Sequence, residues 1–450
     1  MSVLHTVAQA IFFGPLAALV ALSIIGFTPF RSSERLVKRV VALGQSVSFI
    51  SGVIVACVMA RRYLVDGIVQ PIDILHYHFF SFDHHVVEIG LQLDLLSIWF
   101  VLMATILSNI VGVFSQHYLH RDSGFYRFFF LIVLFLNGVL IVFMANNFQA
   151  LFIGWELVGI TSALLISFFT VRRETIDNAL HAFWAYRVCD VGLLCGAALL
   201  AAHLPNDNFG LGVHVRRALP GELVYLVPFL FLFSAMGKSA QYPYSSWLPR
   251  AMEGPTSSSA IFYGGLSIHA GVYLLLRLRL QYDVPTSMLV ATACIGAVSC
   301  VYGVLLSQVQ SDVKSALAYA SLSQVGIMFI EISLGWYYIA TIHCLGHAFM
   351  RTYQILKCSS IIHQFVEFED AHQFDVDRAK ARFLPLFVPP KVLSRSFSVA
   401  FDMALRAASG RSVLVLTLER LSHRLQDAEE RWVSFVAGVG RRTKSGGDSA

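Results

Sequence analysis

Phe229-Leu-Phe-Leu-Phe-Ser-Ala-Met-Gly-Lys238 is the stretch on which the fold turns. An apolar run long enough to enter a bilayer leads straight to an ammonium group. A charge at the centre of a membrane helix costs roughly 2.5–3.5 kcal/mol even on lenient insertion scales, so such residues face a protein interior or a water-filled cavity. Pro243 and Pro249 then break the segment and leave Ser239, Gln241, Ser245 and Ser246 at membrane depth. Non-helical backbone is tolerated there only where it is buried or lines a cavity, and broken helices in transporters mark the transport site. A second charge sits in a similar setting: Glu156 lies in Phe152-Ile-Gly-Trp-Glu-Leu-Val-Gly159 with apolar sequence on both sides. Together the two point to an ion or proton path through a bundle of membrane helices.

The rest of the chain agrees. Of its 450 residues, 56% are hydrophobic and 14% charged, where a soluble domain carries about 25% charged residues. At about 20 apolar residues per span, spans fall near 7–28, 40–60, 93–116, 124–145, 147–170, 179–203, 223–241, 257–277, 286–307, 312–334 and 336–360, about eleven in all. The fold class is therefore all-α: a polytopic membrane helix bundle with a broken seventh helix. Met1 to Thr28 has no basic start and no small-residue cleavage site, and reads as a first span rather than a signal peptide. Arg31, Arg35, Lys38 and Arg39 follow span one, and Arg172 and Arg173 follow span five. Basic loops stay cytoplasmic, which puts the N-terminus outside and the tail inside an inner (plasma) membrane; Arg61 and Arg62 argue weakly the other way.

Three regions follow: 1–92, N-terminal spans and a polar connection; 93–363, the core; and 364–450, a cytoplasmic amphipathic tail suited to a partner or the membrane surface. In the tail, Phe397, Phe401 and Leu405, then Leu414, Leu418, Leu421 and Leu425, recur at helical spacing among charges. The connection over 62–92 holds His76, His78, His84 and His85, read as loop histidines with metal binding the lesser alternative. The seven cysteines show no zinc or iron–sulfur spacing, and the net charge of +5 carries no nucleic-acid signature. No nucleotide, flavin, haem, HExxH or GxSxG pattern is present. The expectation is no cofactor, no metal and no redox chemistry in this chain.

The polar residues within the spans are the candidates for function. Asp94 begins span three and Glu156 sits in the middle of span five. Arg187 and Asp190, three apart in span six, can neutralise each other on one face. Lys238 and His269 lie in spans seven and eight. Asp312 and Lys314 begin span ten, and Glu331 is near its end. His343, His347 and Arg351 follow at i, i+4, i+8, which puts two imidazoles and a guanidinium on one helix face. A chain of such groups with ordered water between them passes protons; the plainer alternative for each is a buried pair or a hydrogen-bonded core residue.

These segments, with Arg187-Val-Cys-Asp190, Gly237-Lys-Ser-Ala-Gln-Tyr-Pro243, Trp247-Leu-Pro249, Ala251-Met-Glu-Gly-Pro-Thr256, Gln310-Ser-Asp-Val-Lys-Ser-Ala-Leu-Ala-Tyr319 and Ser323-Gln-Val-Gly326, resemble the antiporter-like proton-conducting subunits of respiratory complex I, the distal subunit-5 type most. The match runs from about Asp94 to about His363. The resemblance implies that Glu156 and Lys238 form a coupled pair at the channel entrance, and that Lys314, His343 and His347 continue a hydrated axis along the membrane plane. It makes Arg187, Asp190, His269 and Arg351 supporting residues. Three departures stand out. Arg351 occupies a position commonly lysine, and arginine cannot pass its proton on. Tyr263 stands where a histidine is common, with His269 further along. After His363 the chain turns polar where the family continues with a second broken helix.

The reading implied is a non-redox, proton-translocating subunit of an NADH:quinone oxidoreductase-like or transporter complex, among other membrane or peripheral subunits. The short form leaves two alternatives: the membrane subunit of a proton-driven inorganic-carbon uptake complex, with a peripheral zinc protein as partner, or a degenerate membrane scaffold.

Overall fold

The computed structural model describes residues 2–67, 69–82, 85–204, 209, 219–310, 312–372, 424–429 and 431–433. Seven helices come first: α1 (Ser2–Gly26), α2 (Glu34–Asp66), α3 (Leu95–Tyr118), α4 (Phe125–Met144), α5 (Phe148–Ile166), α6 (Arg173–His203) and α7 (Leu223–Lys238). The chain then breaks, makes the single turn α8 (Trp247–Arg250), and continues as α9 (Thr256–Gln281), α10 (Thr286–Val309), α11 (Val313–Ser333) and α12 (Tyr337–His372). Each expected span falls on one of these. Nine of the described helices are long and apolar enough to cross a membrane. The other two expected spans fall on α7, whose 16 residues stop at the break, and on α12.

Side-chain caps set several starts. Asp94 and Ser97 form a reciprocal capping box at α3, Asn147 accepts from Ala150 N at α5, and Asp312 accepts from Ser315 N at α11. α9 is the axis of the bundle: its apolar window is buried along its whole length, against α3, α7, α11 and α12. α10 and α11 meet at Gly296 and Gly326. A Cβ on either would lie 2.4 or 2.6 Å from the other's carbonyl oxygen, so neither position admits a side chain. This is the small-residue contact by which membrane helices pack closely without a hydrophobic drive between them.

The fold departs from the all-helical expectation at the 62–92 connection, which forms a β-hairpin. β1 (Ile72–Phe82) pairs antiparallel with β2 (His85–Leu93), setting His76 opposite Gly90 and His78 opposite Glu88. Its signal was weak: Ile74, Leu91 and Leu93 are buried, but Gln92 between the last two is buried as well and Leu75 is exposed, so the apolar–polar alternation of a half-buried strand is incomplete. His76 Nε2 lies 3.5 Å from a Glu88 carboxylate oxygen across the strands; His84 lies outside the described residues. The hairpin is tied to the α4–α5 junction, where Gly90 N donates to Asn146 Oδ1 (3.0 Å) and Asn147 Nδ2 donates to Glu88 O (2.8 Å).

Of the tail, 424–429 and 431–433 are described, as helix packed on the bundle. Leu425 packs against the core and Val433 is buried in it. The apolar positions expected from Phe397 to Leu421 lie outside the described residues.

One clasp joins the hairpin end to the axis. The Arg277 guanidinium, 1% exposed, pairs with the Asp94 carboxylate, and its Nε donates to Tyr273 OH (2.8 Å), which donates to Phe143 O (2.6 Å). Removing one member of a buried pair leaves an uncompensated charge, at a cost of about 3–5 kcal/mol, while replacing both with apolar groups is often close to neutral. Asp94→Ala is therefore expected to lower stability by about 3–5 kcal/mol, and Asp94→Ala with Arg277→Met to recover most of it. Thermal unfolding of the detergent-solubilised protein measures both.

Candidate functional site

The polar groups at membrane depth gather into two clusters on either side of the break. In the first, Glu156 of α5 forms an ion pair with Arg187 of α6, and the Arg187 guanidinium lies 4.9 Å from the centre of the Phe183 ring. Lys238, at the end of α7, is 1% exposed. Its Nζ donates to the carbonyl of Trp155 (3.1 Å) and sits 5.1 and 4.7 Å from the Trp155 and Tyr186 ring centres. Aromatic faces attract cations, by up to about 2 kcal/mol when desolvated. Trp155 Nε1 in turn donates to Asp190 Oδ1 (2.5 Å), while Asp190 Oδ2 has no hydrogen-bond partner.

Arg187, which can neutralise Asp190 along one face of α6, reaches across to Glu156, and Asp190 accepts from Trp155. Within the coupled pair that the resemblance implies, the Glu156 carboxylate faces Arg187 and Lys238 donates to a carbonyl. Gly159 explains how two cations share this space. A Cβ there would lie 3.2 Å from Lys238 Nζ and 3.3 Å from Arg187 Nη2, so the bare glycine backbone is what both approach.

The break follows at once. Ala240 takes a left-handed conformation (φ 53°) and is fully buried, a geometry that costs a non-glycine residue about 1–3 kcal/mol and is kept only where the surroundings enforce it. Pro243 lies in the turn after Lys238, and Pro249 lies within α8. Trp247 Nε1 donates back to Gly237 O (3.1 Å), a carbonyl that also accepts from Ala240 N, and so ties the segment after the break to the end of α7. Ser239 Oγ donates to Ile268 O (2.7 Å), which ties the end of α7 to the residue before His269.

The second cluster is imidazole-rich. Within α9, residues Ala260–Leu266 form a π-helical stretch, which shifts the phase of the following turn; such insertions are frequent at functional sites. His269 Nδ1 lies 2.7 Å from Gly265 O and its Nε2 lies 2.9 Å from His347 Nδ1. A carbonyl only accepts, so His269 Nδ1 carries a proton. With both rings neutral, His347 Nδ1 then donates to His269 Nε2. That leaves His347 Nε2 as a bare acceptor, and it is buried without a partner. His343, whose ring centre is 6.5 Å from that of His347, faces the Glu331 carboxylate through Nδ1 (3.0 Å) and Gln324 Oε1 through Nε2 (3.1 Å). A doubly protonated ring satisfies both contacts as drawn; flipping the Gln324 amide satisfies a neutral one.

Arg351, one turn beyond His347, is buried, and its Nε has no partner. Lys314 is not drawn into either cluster: it is half-buried in the first turn of α11 beside the Asp312 cap, and no hydrogen bond or ion pair among the described residues joins it to His343 or His347. Trp155, Tyr186, Gln324 and the pairing of Glu331 were not legible in sequence, because each matters through a residue on another helix.

Similarity to known proteins covers the same segments. A family described as NADH:quinone oxidoreductase/Mrp antiporter, TM, matches residues 145–381, and one described as NADH-ubiquinone oxidoreductase (complex I), chain 5 N-terminus, matches 79–129. NADH-ubiquinone oxidoreductase chain 5 of Podospora anserina is 32% identical over 312 residues, 69% of this chain and 47% of its own length. NADH-quinone oxidoreductase subunit L of Campylobacter jejuni is 32% identical over 300 residues, 67% of this chain and 50% of its own. The chain thus spans about half the length of the curated relatives it matches. Among solved structures, the Mrp complex from Dietzia sp. aligns with a TM-score of 0.63 at 21% identity, over 94% of this chain and 46% of that one. The archaeal membrane-bound sulfane sulfur reductase, a respiratory membrane complex, aligns with a TM-score of 0.66 at 16% identity, over 96% of both chains. At these identities the two structures speak for the fold.

Gly159→Ala is expected to displace the ends of the Lys238 and Arg187 side chains by a few tenths of an ångström and, as the gain in helix propensity of up to about 1 kcal/mol offsets that displacement, to leave stability within about 1 kcal/mol of the wild type. Gly346→Ala, where a Cβ meets nothing within 4 Å, serves as the control and should not lower stability. Unfolding midpoints of the two variants in detergent make the comparison.

Proposed function

As the chain belongs to the family of NADH:quinone oxidoreductase and Mrp antiporter membrane subunits, we propose that it conducts protons within a multisubunit membrane assembly and couples their flow to work done by a partner subunit. The observation that carries this is the Lys238 ammonium, 1% exposed, held by a carbonyl and two aromatic faces beside Gly159 and the Glu156–Arg187 pair. A buried lysine changes its protonation state readily, whereas an arginine stays charged. In this cluster Arg187 is thus the fixed charge and Lys238 the one that loads and unloads. Arg187 sits on Glu156, and a turn of its side chain away from that carboxylate would rearrange the charges around Lys238.

From Lys238 the reading continues past Ser239 to His269, then along the hydrogen bond to His347, to His343 and to Glu331. Each imidazole has one donating and one accepting nitrogen when neutral and can pass a proton across its ring. Water carries the step between Lys238 and His269. Arg351 sets the field at His347 without accepting or releasing a proton itself. Lys314, outside both clusters, serves this path only if α11 moves. The N-terminus outside and the tail inside, from the basic loops after α1 and α5, belong to the same proposal, as does the use of 364–450 in contacts with a partner.

The full-length chain, purified with its co-purifying subunits and reconstituted in liposomes, is expected to pass protons under a potassium diffusion potential. Lys238→Ala is expected to abolish that flux, and Glu156→Gln to reduce it about tenfold or more, the equivalent of about 1.4 kcal/mol in a barrier. A Lys238→Ala protein that assembles and conducts like the wild type would sink the reading. His347→Gln, which removes the link to His269, should conduct less than His347 protein while Arg351→Lys conducts at a comparable rate. Mass spectrometry of the co-purified chains identifies the partner.

A further inference from the structure

The path described so far uses no residue after Glu331 and the histidines of α12, yet a carboxylate from the tail lies buried in the break. Glu429 is 1% exposed. Both its oxygens accept from Ser245 Oγ (2.7 and 2.9 Å), one accepts from Ser246 N (2.5 Å), and the other from Tyr302 OH of α10 (2.6 Å). Its neighbours on the tail are anchored as well: Gln426 Nε2 donates to Tyr319 OH (3.0 Å) and Trp432 Nε1 to Tyr244 OH (3.3 Å). Among the described residues no lysine or arginine pairs with Glu429. The titratable groups around it are Tyr302, Tyr319 and Tyr244, with His181 one residue away through Ser246.

A buried carboxylate with no counter-cation is expensive: after relaxation the penalty is still several kcal/mol per ion. It persists either because donors hold the charge or because the group takes up a proton. Here both are available, since two hydroxyl partners that donate to the carboxylate can accept from the acid. This distinguishes Glu429 from Glu156, which is neutralised by Arg187.

Its place is also informative. Ser245 and Ser246 belong to the segment that continues from Lys238, and Trp247 bonds back to Gly237. The Trp247 ring lies 4.7 Å from that of Tyr186, on which the Lys238 ammonium also rests. Ser246 Oγ lies 3.1 Å from His181 Nε2. His181 and Arg187 share α6, and six residues of helix set His181 about 9 Å nearer its Arg173 end. Glu429 therefore stands between that end of the bundle and the lysine.

We propose that Glu429 is a proton-exchange residue of the broken helix, passing protons between the Arg173 end of α6 and the Lys238 site by way of Ser245, Ser246 and His181. The inference rests on the proton-conducting reading and adds to it a carboxylate from the tail. In each cycle the Glu429 carboxylate takes up one proton that arrives from the Arg173 end by way of His181 and Ser246, and releases it toward Lys238.

The test uses the full-length chain with its co-purified subunits in liposomes under a potassium diffusion potential. Glu429→Gln keeps the size and removes the exchangeable proton; Glu429→Asp keeps the carboxyl. A tenfold or greater loss of flux in Glu429→Gln, with Glu429→Asp within about threefold of the wild type, is the expected result. Equal flux in Glu429→Gln and wild type overturns the proposal and leaves Glu429 as packing. Higher flux in Glu429→Gln also overturns it, making the tail a plug on the break. Lys238→Ala is run beside them. If it still conducts, the proton-conducting reading itself fails; if it alone is silent, only the role of Glu429 fails. Should Glu429→Gln not assemble, pH-dependent infrared difference spectra of wild type and Glu429→Asp decide: a protonated-carboxyl band that moves between the two is expected, and identical spectra count against the proposal.

Discussion

The structure depends on keeping an ammonium group out of water at membrane depth. Lys238 cannot reach either surface from the end of α7, so everything that stabilises its charge must come from the chain itself. A backbone carbonyl, two aromatic faces and a nearby carboxylate provide this. The same demand explains the form of the break. Once the helix stops, the indole of Trp247, donating to Gly237 O, and the hydroxyl of Ser239, donating to Ile268 O, tie the loose end back into the bundle. The left-handed Ala240 is the local cost of that turn, accepted because burial on all sides leaves the segment no other course.

The two clusters beside the break differ in chemistry. The first sets two cations, Arg187 and Lys238, beside the carboxylates of Glu156 and Asp190, with Arg187 on Glu156 and Asp190 on Trp155. The second is built from imidazoles, which can be neutral and still hold hydrogen bonds at both nitrogens. In the proposed function the guanidinium beside the lysine acts as a switch and the linked imidazoles as a conduit. The π-helical stretch of α9 precedes His269, whose Nε2 meets His347. In this chain His269 and His347 form the contact directly, while Tyr263 rests against the Trp247 ring.

Much of this was legible in the sequence, for a reason that applies residue by residue. Whether a segment crosses a bilayer depends on its own apolar length, so every expected span found its helix. Whether a charge is out of place depends on its immediate neighbours, so Glu156, Lys238, His343 and His347 stood out before any contact was known. The hairpin was harder: its strands alternate weakly, and histidines fill the outward positions. Lys314 stood out through a motif match, and the structure sets it half-buried in the first turn of α11 beside the Asp312 cap.

By itself the sequence determined the membrane spans, the break after Lys238 and the set of titratable residues that the bilayer would not hold without protein around them. Those follow from solvation costs that each segment bears alone. Only the tertiary structure decided which charge meets which. Arg187 chose Glu156 over Asp190, His269 met a histidine 78 residues away, and Glu429 came back 184 residues to enter the break at Ser245. These pairings depend on the rotation and approach of neighbouring helices. That geometry is set by small contacts such as Gly159 and the Gly296–Gly326 crossing, whose effect appears only when two helices are brought together.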